Sequence, residues 1–196
     1  MKKKRLLILL AGVAALILAF VFLNFHVAVS NTQSDKNITT TSIGNQLPDP
    51  IQRKDKISIA VVGESPLVSA LRKALPEEMH RAGLENIEVV PSLEPAYQNP
   101  ALVIQVEKPK VLWTPFFAIS GFSVQAGYAS SGDTTFMGET PVTMDNKNGP
   151  SLNMYAEFKV TDRSWGLISR LGYHQLLADY LARHIAAALK DIYYGA

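Results

Sequence analysis

The sequence predicts an α+β fold: an N-terminal transmembrane anchor followed by a two-layer sandwich. Three observations predict it, namely a long apolar run near the N-terminus, two-residue alternation in later segments, and helical apolar stripes at both ends of the domain. We expect a mostly antiparallel sheet of about five to six strands with two helices on one face, in the order β-α-β-β-β-β-α.

The first element is an unbroken apolar run of 18 residues, Leu6 to Leu23, of which 13 are Leu, Ile, Val or Phe. Residues 6–29 carry no Lys, Arg, Asp or Glu, and as a helix they rise about 36 Å, enough to cross a hydrocarbon core of about 30 Å. The run therefore predicts a single-pass signal-anchor helix over residues 6–29. The basic residues of the tip, residues 1–5, set its orientation by the positive-inside rule: Lys2, Lys3, Lys4 and Arg5.

This orientation places the N-terminus in the cytoplasm and the C-terminal domain outside it. The runner-up interpretation is a signal peptide cleaved after Ser30, since Ala28 and Ser30 are small. The apolar region of a signal peptide usually spans about 7–15 residues, shorter than this run, which favours the uncleaved anchor. Both interpretations predict an extracytoplasmic domain.

The next segment, residues 30–55, is rich in Ser, Thr, Asn and Gln and shows no apolar period. Such a composition cannot bury enough apolar surface to offset the entropy of ordering, so it predicts a disordered polar linker. Residues 56–196 remain for one extracytoplasmic α+β domain, long enough for a single core.

The domain begins with a strand and a helix. Residues 57–62 are almost all apolar, which is typical of a strand covered on both faces. Ser65 followed by Pro66 predicts a helix N-terminus. The helix then repeats an apolar residue every four positions, at Leu67, Leu71, Leu75 and Met79.

Strands are predicted over 87–90, 101–107, 122–129 and 151–162, the last with the clearest alternation. Pro141 makes 134–144 an edge strand or a loop. A long closing helix is predicted from Gly166 to Tyr193, because apolar residues recur there at three- and four-residue steps.

Composition excludes several classes of protein. Four of the 19 basic residues lie in the N-terminal tip, which leaves 15 against 17 acidic residues in the rest of the chain. That balance lacks the clustered positive charge of a nucleic-acid-binding protein. The absence of cysteine excludes a disulfide scaffold, a thiol nucleophile and a lipid-modified Cys anchor. We expect no nucleic-acid partner, no metal and no cofactor.

The sequence contains no recognisable catalytic motif, so we expect a protein that is not an enzyme. Ser131, Asp133 and His174 are the residues of a hydrolase alternative, which requires the fold to bring them together. A small lipid or ligand carrier, with a cavity between helices and sheet, is a further alternative.

The strongest candidate for a contact site is aromatic. Trp113, Phe116 and Phe117 lie close together between prolines, and the strand residues Tyr128 and Tyr155 can extend the cluster. Large aromatic residues dominate cores, so burial is the more common explanation of such a cluster; the functional interpretation is an exposed patch for a protein or a lipid.

The element order is similar to that of small envelope-assembly proteins and periplasmic accessory domains with two helices on one sheet. We therefore expect a membrane-anchored, extracytoplasmic, non-catalytic binding or assembly module of the cell envelope. Its sheet face or aromatic patch would contact an envelope or membrane protein or lipid, and residues 6–29 would contact the bilayer.

Overall fold

The computed structural model describes residues 2–39, 56–90, 100–130, 132 and 154–193. Within these ranges the elements are, in chain order, α1 (Lys2–Phe22), β1 (His26–Thr39), β2 (Ile57–Val62), α2 (Pro66–Arg81), β3 (Ile87–Val90), β4 (Ala101–Val106), β5 (Lys110–Trp113), β6 (Phe117–Ala129), β7 (Met154–Ile168) and α3 (Arg170–Tyr193). The predicted α+β class is confirmed, with three helices and seven strands in the described part of the chain.

The strands form one mixed sheet in the order β1-β7-β6-β4-β2-β3, with β5 paired to β6. The pairs β1–β7, β7–β6, β6–β4 and β6–β5 are antiparallel, whereas β2 is parallel to β3 and to β4. Because β7 occupies one edge of β6, β4 and β5 share its other edge end to end. Pro109 lies between them, where its missing N–H interrupts the ladder. The sheet is therefore larger and more mixed than the sequence predicted.

The core lies between one face of this sheet and the helices α2 and α3. The start of α2 is as predicted: the Ser65 side chain accepts a hydrogen bond of 3.2 Å from the backbone N–H of Val68, and Pro66 is the first helical residue. The predicted apolar stripe of α2 is buried: Leu67, Leu71, Leu75 and Met79.

The N-terminal region differs from the prediction. Helix α1 ends at Phe22, and residues 26–39 form β1, which pairs with β7 along its whole length. The sequence predicts these residues to be the end of the anchor and the start of the linker. The sequence gives no local signal for this strand, because the partner that pairs with the backbone of β1 lies at the other end of the chain.

Of the helices in the described part of the chain, none has both the length and the apolar character that crossing a bilayer requires. The transmembrane anchor predicted over residues 6–29 is not supported by this finding, since the helical part stops before the segment that joins the sheet.

The C-terminal region also differs. Strand β7 continues to Ile168, so the closing helix begins at Arg170 rather than at Gly166. Gly166 has φ of +125°, and a Cβ at this position would lie 2.5 Å from the carbonyl oxygen of Val27 on β1. Only glycine allows the two strands to approach so closely. The predicted segment 134–144 and the residues Ser131 and Asp133 lie outside the described residues.

Candidate functional site

One face of the sheet packs against α2 and α3, and we call the opposite face the open face. Over the first residues of β2 and β4 the open face is covered, since Ser58, Ala60 and Val103 are buried there, whereas Val62 at the end of β2 is exposed. It is exposed at residues 27–31 of β1, along β5, at Ile119 near the start of β6 and over residues 159–167 of β7. The exposed part of the open face therefore includes the start of β1, which is the strand that directly follows α1 in the chain.

This exposed part of the open face carries large apolar side chains. Val29, Trp165 and Phe117 stand side by side on β1, β7 and β6, and the rings of Phe117 and Trp165 lie 5.6 Å apart between centroids. Trp165 is 65% exposed and Val29 is 79% exposed. We define the apolar patch as the exposed large side chains of this region: Val27, Val29, Leu112, Phe116, Ile119, Trp165 and Leu167. An exposed cluster of this kind is typical of an interaction surface.

The patch is bordered by basic side chains. Arg163 pairs with Asn31 and Ile119 in the next row of the open face, and Lys110 pairs with Gly121 in the row after it. Both basic side chains are exposed, and the described part of these two rows contains no Asp or Glu on the open face. A cleft of about 430 Å³ lies beside Arg163. The surface is thus apolar at one end and positively charged at the other.

The structure divides the predicted aromatic cluster. Phe116 is 66% exposed and belongs to the patch, and Phe117 is half-buried beside Trp165. Trp113 is half-buried against the core, where its Nε1–H donates a hydrogen bond of 3.2 Å to the carbonyl of Ile168. Tyr128 is fully buried in the core. For Trp113 and Tyr128 the alternative interpretation, burial, is correct.

Tyr155, the last member of the predicted cluster, is half-buried near the opposite end of β7. Burial, together with the nearby charge of Glu157, raises the pKa of its hydroxyl. It is separated from the patch by Glu157, Lys159 and Thr161 along the same face of β7. The structure therefore does not bring Tyr155 to the patch.

Trp165 is the central residue that sequence reasoning missed. The alternation predicted over 151–162 continues beyond 162 with reversed polarity, because Trp165 and Leu167 are exposed and Asp162 and Ser164 are buried. In the sequence, this reversal is indistinguishable from the end of the strand. The one signal that could have found Trp165 is the two-residue spacing itself.

Beneath the patch, on the helix face of the sheet, the carboxyl group of Asp162 is 1% exposed and lies within a set of hydroxyl groups. Its Oδ1 accepts hydrogen bonds of 2.7 Å from Ser30 and 2.6 Å from Thr32, both on β1. Its Oδ2 accepts bonds of 2.8 Å from Ser164 and 2.7 Å from Tyr173. Asp162 therefore joins β1, β7 and α3, and satisfies the requirement that buried polar groups have partners.

The Tyr173 hydroxyl also lies 3.0 Å from Ser120 Oγ. Since a phenol has one hydrogen, Tyr173 donates to Asp162 and accepts from Ser120. Burial raises the pKa of Tyr173 far above its ordinary value, the hydrogen bond from Ser120 opposes this rise, and the bond to Asp162 adds to it. The phenol therefore stays neutral and donates its hydrogen bond to Asp162, so the cluster has a structural role: it holds β1, β7 and α3 together.

A second set of hydrogen bonds holds the junction between α1 and β1. The backbone N–H of Phe25 donates a hydrogen bond of 3.0 Å to Ser169 Oγ, and the carbonyl of Phe25 accepts from both the hydroxyl and the backbone N–H of Ser169. Ser169 also caps α3, accepting from the N–H of Gly172 at 3.0 Å. A Cβ on Gly172 would lie 2.3 Å from the Phe25 carbonyl oxygen, so glycine is required there. The junction is therefore fixed to the domain.

His174 does not form a surface catalytic group. It is 5% exposed, and its Nδ1 lies 2.7 Å from the carbonyl oxygen of Arg170, one turn earlier in α3. Burial lowers the pKa of the imidazole, the backbone bond opposes this, and the charge of Arg170 adds to it. A buried, backbone-bonded imidazole is poorly placed to act on an external substrate, so the structure gives the hydrolase alternative no support.

Among the described residues no group of three or more His, Asp and Glu side chains could hold a metal ion. The space between the helices and the sheet is filled by apolar side chains of the core, including Phe158, Ile104 and Leu181. The described part of the chain therefore gives no support to the carrier alternative, which needs a cavity there. The apolar patch remains the feature that most resembles a site.

No family model matches the chain, and no curated protein matches it. Among solved structures, the chain is similar to the PelC dodecamer from Paraburkholderia phytofirmans, with 12% identity, 81% of this chain and 98% of that chain covered, and a TM-score of 0.50. A second structure from that organism, the dodecamer of a PelC variant with methionine in place of one leucine, is 13% identical over 81% of this chain and 98% of that chain, with a TM-score of 0.47. At 12% identity the first similarity shows the fold alone.

Proposed function

We propose that this chain is a membrane-associated, extracytoplasmic, non-catalytic binding module of the cell envelope. Helix α1 is its contact with the bilayer, and the open face is its binding surface. The observation that carries the proposal is that exposed apolar side chains lie on both sides of the fixed junction at Phe25, on α1 and in the apolar patch of the sheet.

The surface of α1 supports a contact with lipid. Its exposed large apolar side chains point in all directions around the helix: Leu7, Ile8, Leu9, Leu10, Val13, Leu16, Ile17, Leu18 and Phe22. A helix that is apolar all round is stable where water does not reach it. Lys4, the described member of the basic cluster, is exposed at the opposite end of α1 from the domain, where its charged group can contact lipid headgroups while its stem stays in apolar surroundings.

The contacts of β1 favour an uncleaved chain over the secreted alternative. Cleavage after Ser30 would remove Phe25, and with it the junction bonded to Ser169. It would also remove the Ser30 hydroxyl from Asp162 and take Val27 and Val29 from the patch. Uncleaved residues 23–30 thus have a structural role in the folded domain.

Two measurements test this function. Membranes from cells producing the chain are washed at high salt and at alkaline pH and then floated on a density gradient; we expect the chain to stay with the membrane. Because the sequence has no cysteine, Lys190→Cys, at an exposed position of α3, gives one site for a maleimide that does not cross membranes. Labelling in intact cells and spheroplasts equal to that in lysed cells is expected; labelling only after lysis, or loss of the chain on washing, contradicts the proposal.

Assembly of several copies is a second candidate role. In the described part of the chain β1 is an edge strand of the sheet, and an edge strand offers unpaired backbone groups to another chain. The similar solved structure is described as a dodecamer. The mass of the detergent-solubilised particle tests this role: a discrete oligomer supports it, and a monomer at all concentrations contradicts it.

A further inference from the structure

The open face changes in character row by row with distance from α1. The first rows hold Val27 with Leu167, then Val29 with Trp165. Arg163 stands in the next row, and Lys110 and Thr161 flank Gly121 in the row after that. Successive rows on one face of a strand are about 7 Å apart, so the surface passes from aliphatic to aromatic to basic over about 20 Å.

This order matches the order of chemistry across the surface of a bilayer. Aliphatic side chains prefer the acyl region, Trp prefers the interface, and Arg reaches the phosphate groups while its stem stays in apolar surroundings. In the described part of the chain, these four rows contain basic but no acidic side chains. That charge is complementary to an anionic lipid surface.

The junction fixes where the patch lies relative to α1. Phe25 is bonded at both its N–H and its carbonyl to Ser169, and the ring of Phe20 in α1 lies 5.1 Å from the ring of Phe25. Val27 follows Phe25 by two residues, about 7 Å of extended chain. If α1 lies in lipid, the first rows of the open face are therefore at the level of the lipid surface.

We propose that the apolar patch rests on an anionic phospholipid surface, with Trp165 in the interfacial region and Arg163 and Lys110 at headgroup phosphates. This inference rests on the proposed function, because it takes α1 as the contact with the bilayer, and it specifies what the open face binds. A second copy of the chain or another protein covering the patch is the competing outcome of the test.

The chain contains two tryptophans, Trp113 and Trp165, and only Trp165 is well exposed. The full chain is reconstituted into vesicles of phosphatidylcholine and phosphatidylglycerol, with or without bromine on the acyl chains, which quenches nearby tryptophan. We expect the bromine quenching of Trp113→Phe, which retains Trp165, to exceed that of Trp165→Phe by about twofold or more, since an interfacial Trp lies next to the acyl region. Comparing wild type with Trp165→Phe gives the same answer without altering the core.

Each outcome separates the two proposals. If the chain floats with the vesicles but Trp165 is not quenched, the proposed function stands and the lipid assignment is wrong. If Trp165 is also shielded from aqueous iodide in that case, a protein covers the patch. If the chain does not float, both proposals fail.

The role of charge has its own matched comparison. Replacing Arg163 and Lys110 together by Gln is expected to bring the ratio of Trp165 quenching in anionic over neutral vesicles down to about one, because the anionic headgroups then no longer attract these two side chains. Lys190→Gln removes a positive charge about 30 Å along α3 from its start and should leave the ratio unchanged. An equal fall in both variants overturns the assignment of Arg163 and Lys110 to phosphates.

Discussion

The two halves of β7 are built with opposite polarity. In the first half, Ala156, Phe158 and Val160 face the helices and are fully buried, while polar residues face outward. In the second half, Asp162 and Ser164 face inward, and Trp165 and Leu167 face outward. The first half follows the usual rule of a half-buried strand, and the second half reverses it.

The difference shows that the strand serves two purposes. The first half supplies stability through apolar burial. The second half obtains its internal order from hydroxyl and carboxyl hydrogen bonds, and this leaves its apolar side chains free to face outward. A polar interior that is fully satisfied costs less than an unsatisfied one, so the reversal is tolerated.

The largest contrast is expected between two aromatic residues of β7. Phe158→Ala should lower the free energy of unfolding by about 4 kcal/mol, because it opens a cavity in the core. Trp165→Ala should change it by less than about 0.5 kcal/mol, because the side chain is mostly exposed. Denaturant unfolding in detergent measures both. A large loss of stability in Trp165→Ala would mean that the second half of β7 is also held by apolar packing.

The next effect concerns the inward face of the second half. Asp162→Ala removes the acceptor of four hydroxyl groups and should destabilise the domain by about 3 kcal/mol, since buried donors are left without partners. Thr161→Ala, one residue away on the open face, is the matched control and should be close to neutral. Equal effects of the two substitutions would show that the hydroxyl cluster contributes little.

Gly172→Ala tests how firmly the junction is held. Within a helix this substitution normally stabilises by about 1 kcal/mol, but here the new Cβ would meet the Phe25 carbonyl. We expect destabilisation of about 2 kcal/mol from the clash and faster hydrogen exchange at the amides of Phe25 and Ser169. A stabilised variant with unchanged exchange would mean that the junction is not fixed by these contacts.

The smallest effect depends on pH. Burial raises the folded-state pKa of Tyr173 above the ordinary value of 10.0, so folding favours the neutral phenol. Its contribution to stability is complete below pH 10 and is lost as the pH rises further, because the unfolded chain ionises first. Tyr173→Phe should cost about 1 kcal/mol at neutral pH. The difference in unfolding free energy between wild type and this variant should shrink above about pH 10; a constant difference contradicts the assigned cause.

The sequence predicted well those elements whose signals are local. Ser65, Pro66 and the four-residue stripe of α2 determine that helix by capping and periodicity within a few turns. The signal for the first half of β7 is equally local, because a strand packed on a core alternates apolar residues inward with polar residues outward. The α+β class followed from these elements together.

The elements that the prediction missed depend on partners far along the chain. Strand β1 begins in the predicted apolar anchor and continues into a polar segment, and it is a strand because β7 pairs with it. In the sequence Gly166 resembles the start of a helix, but the structure requires glycine there because the backbone of Val27 approaches closely. Trp165 was missed because a residue on an outer face looks the same in sequence as one that ends a strand. The candidate site therefore needed the register of the sheet, whereas most of the core did not.

The pairing of β1 with β7 also determines the order in which the molecule can fold while it is being synthesised. Ser30 and Asp162, which join the two strands, are 132 residues apart, and Ser169, which holds Phe25, comes later still. Contacts of such separation form late, after the cost of closing the intervening chain has been met. While the chain is being made, α1 and β1 emerge first and have no sheet to join. The N-terminal segment can take its final position only after nearly the entire chain has left the ribosome, so a truncation before β7 would leave β1 as an unpaired strand.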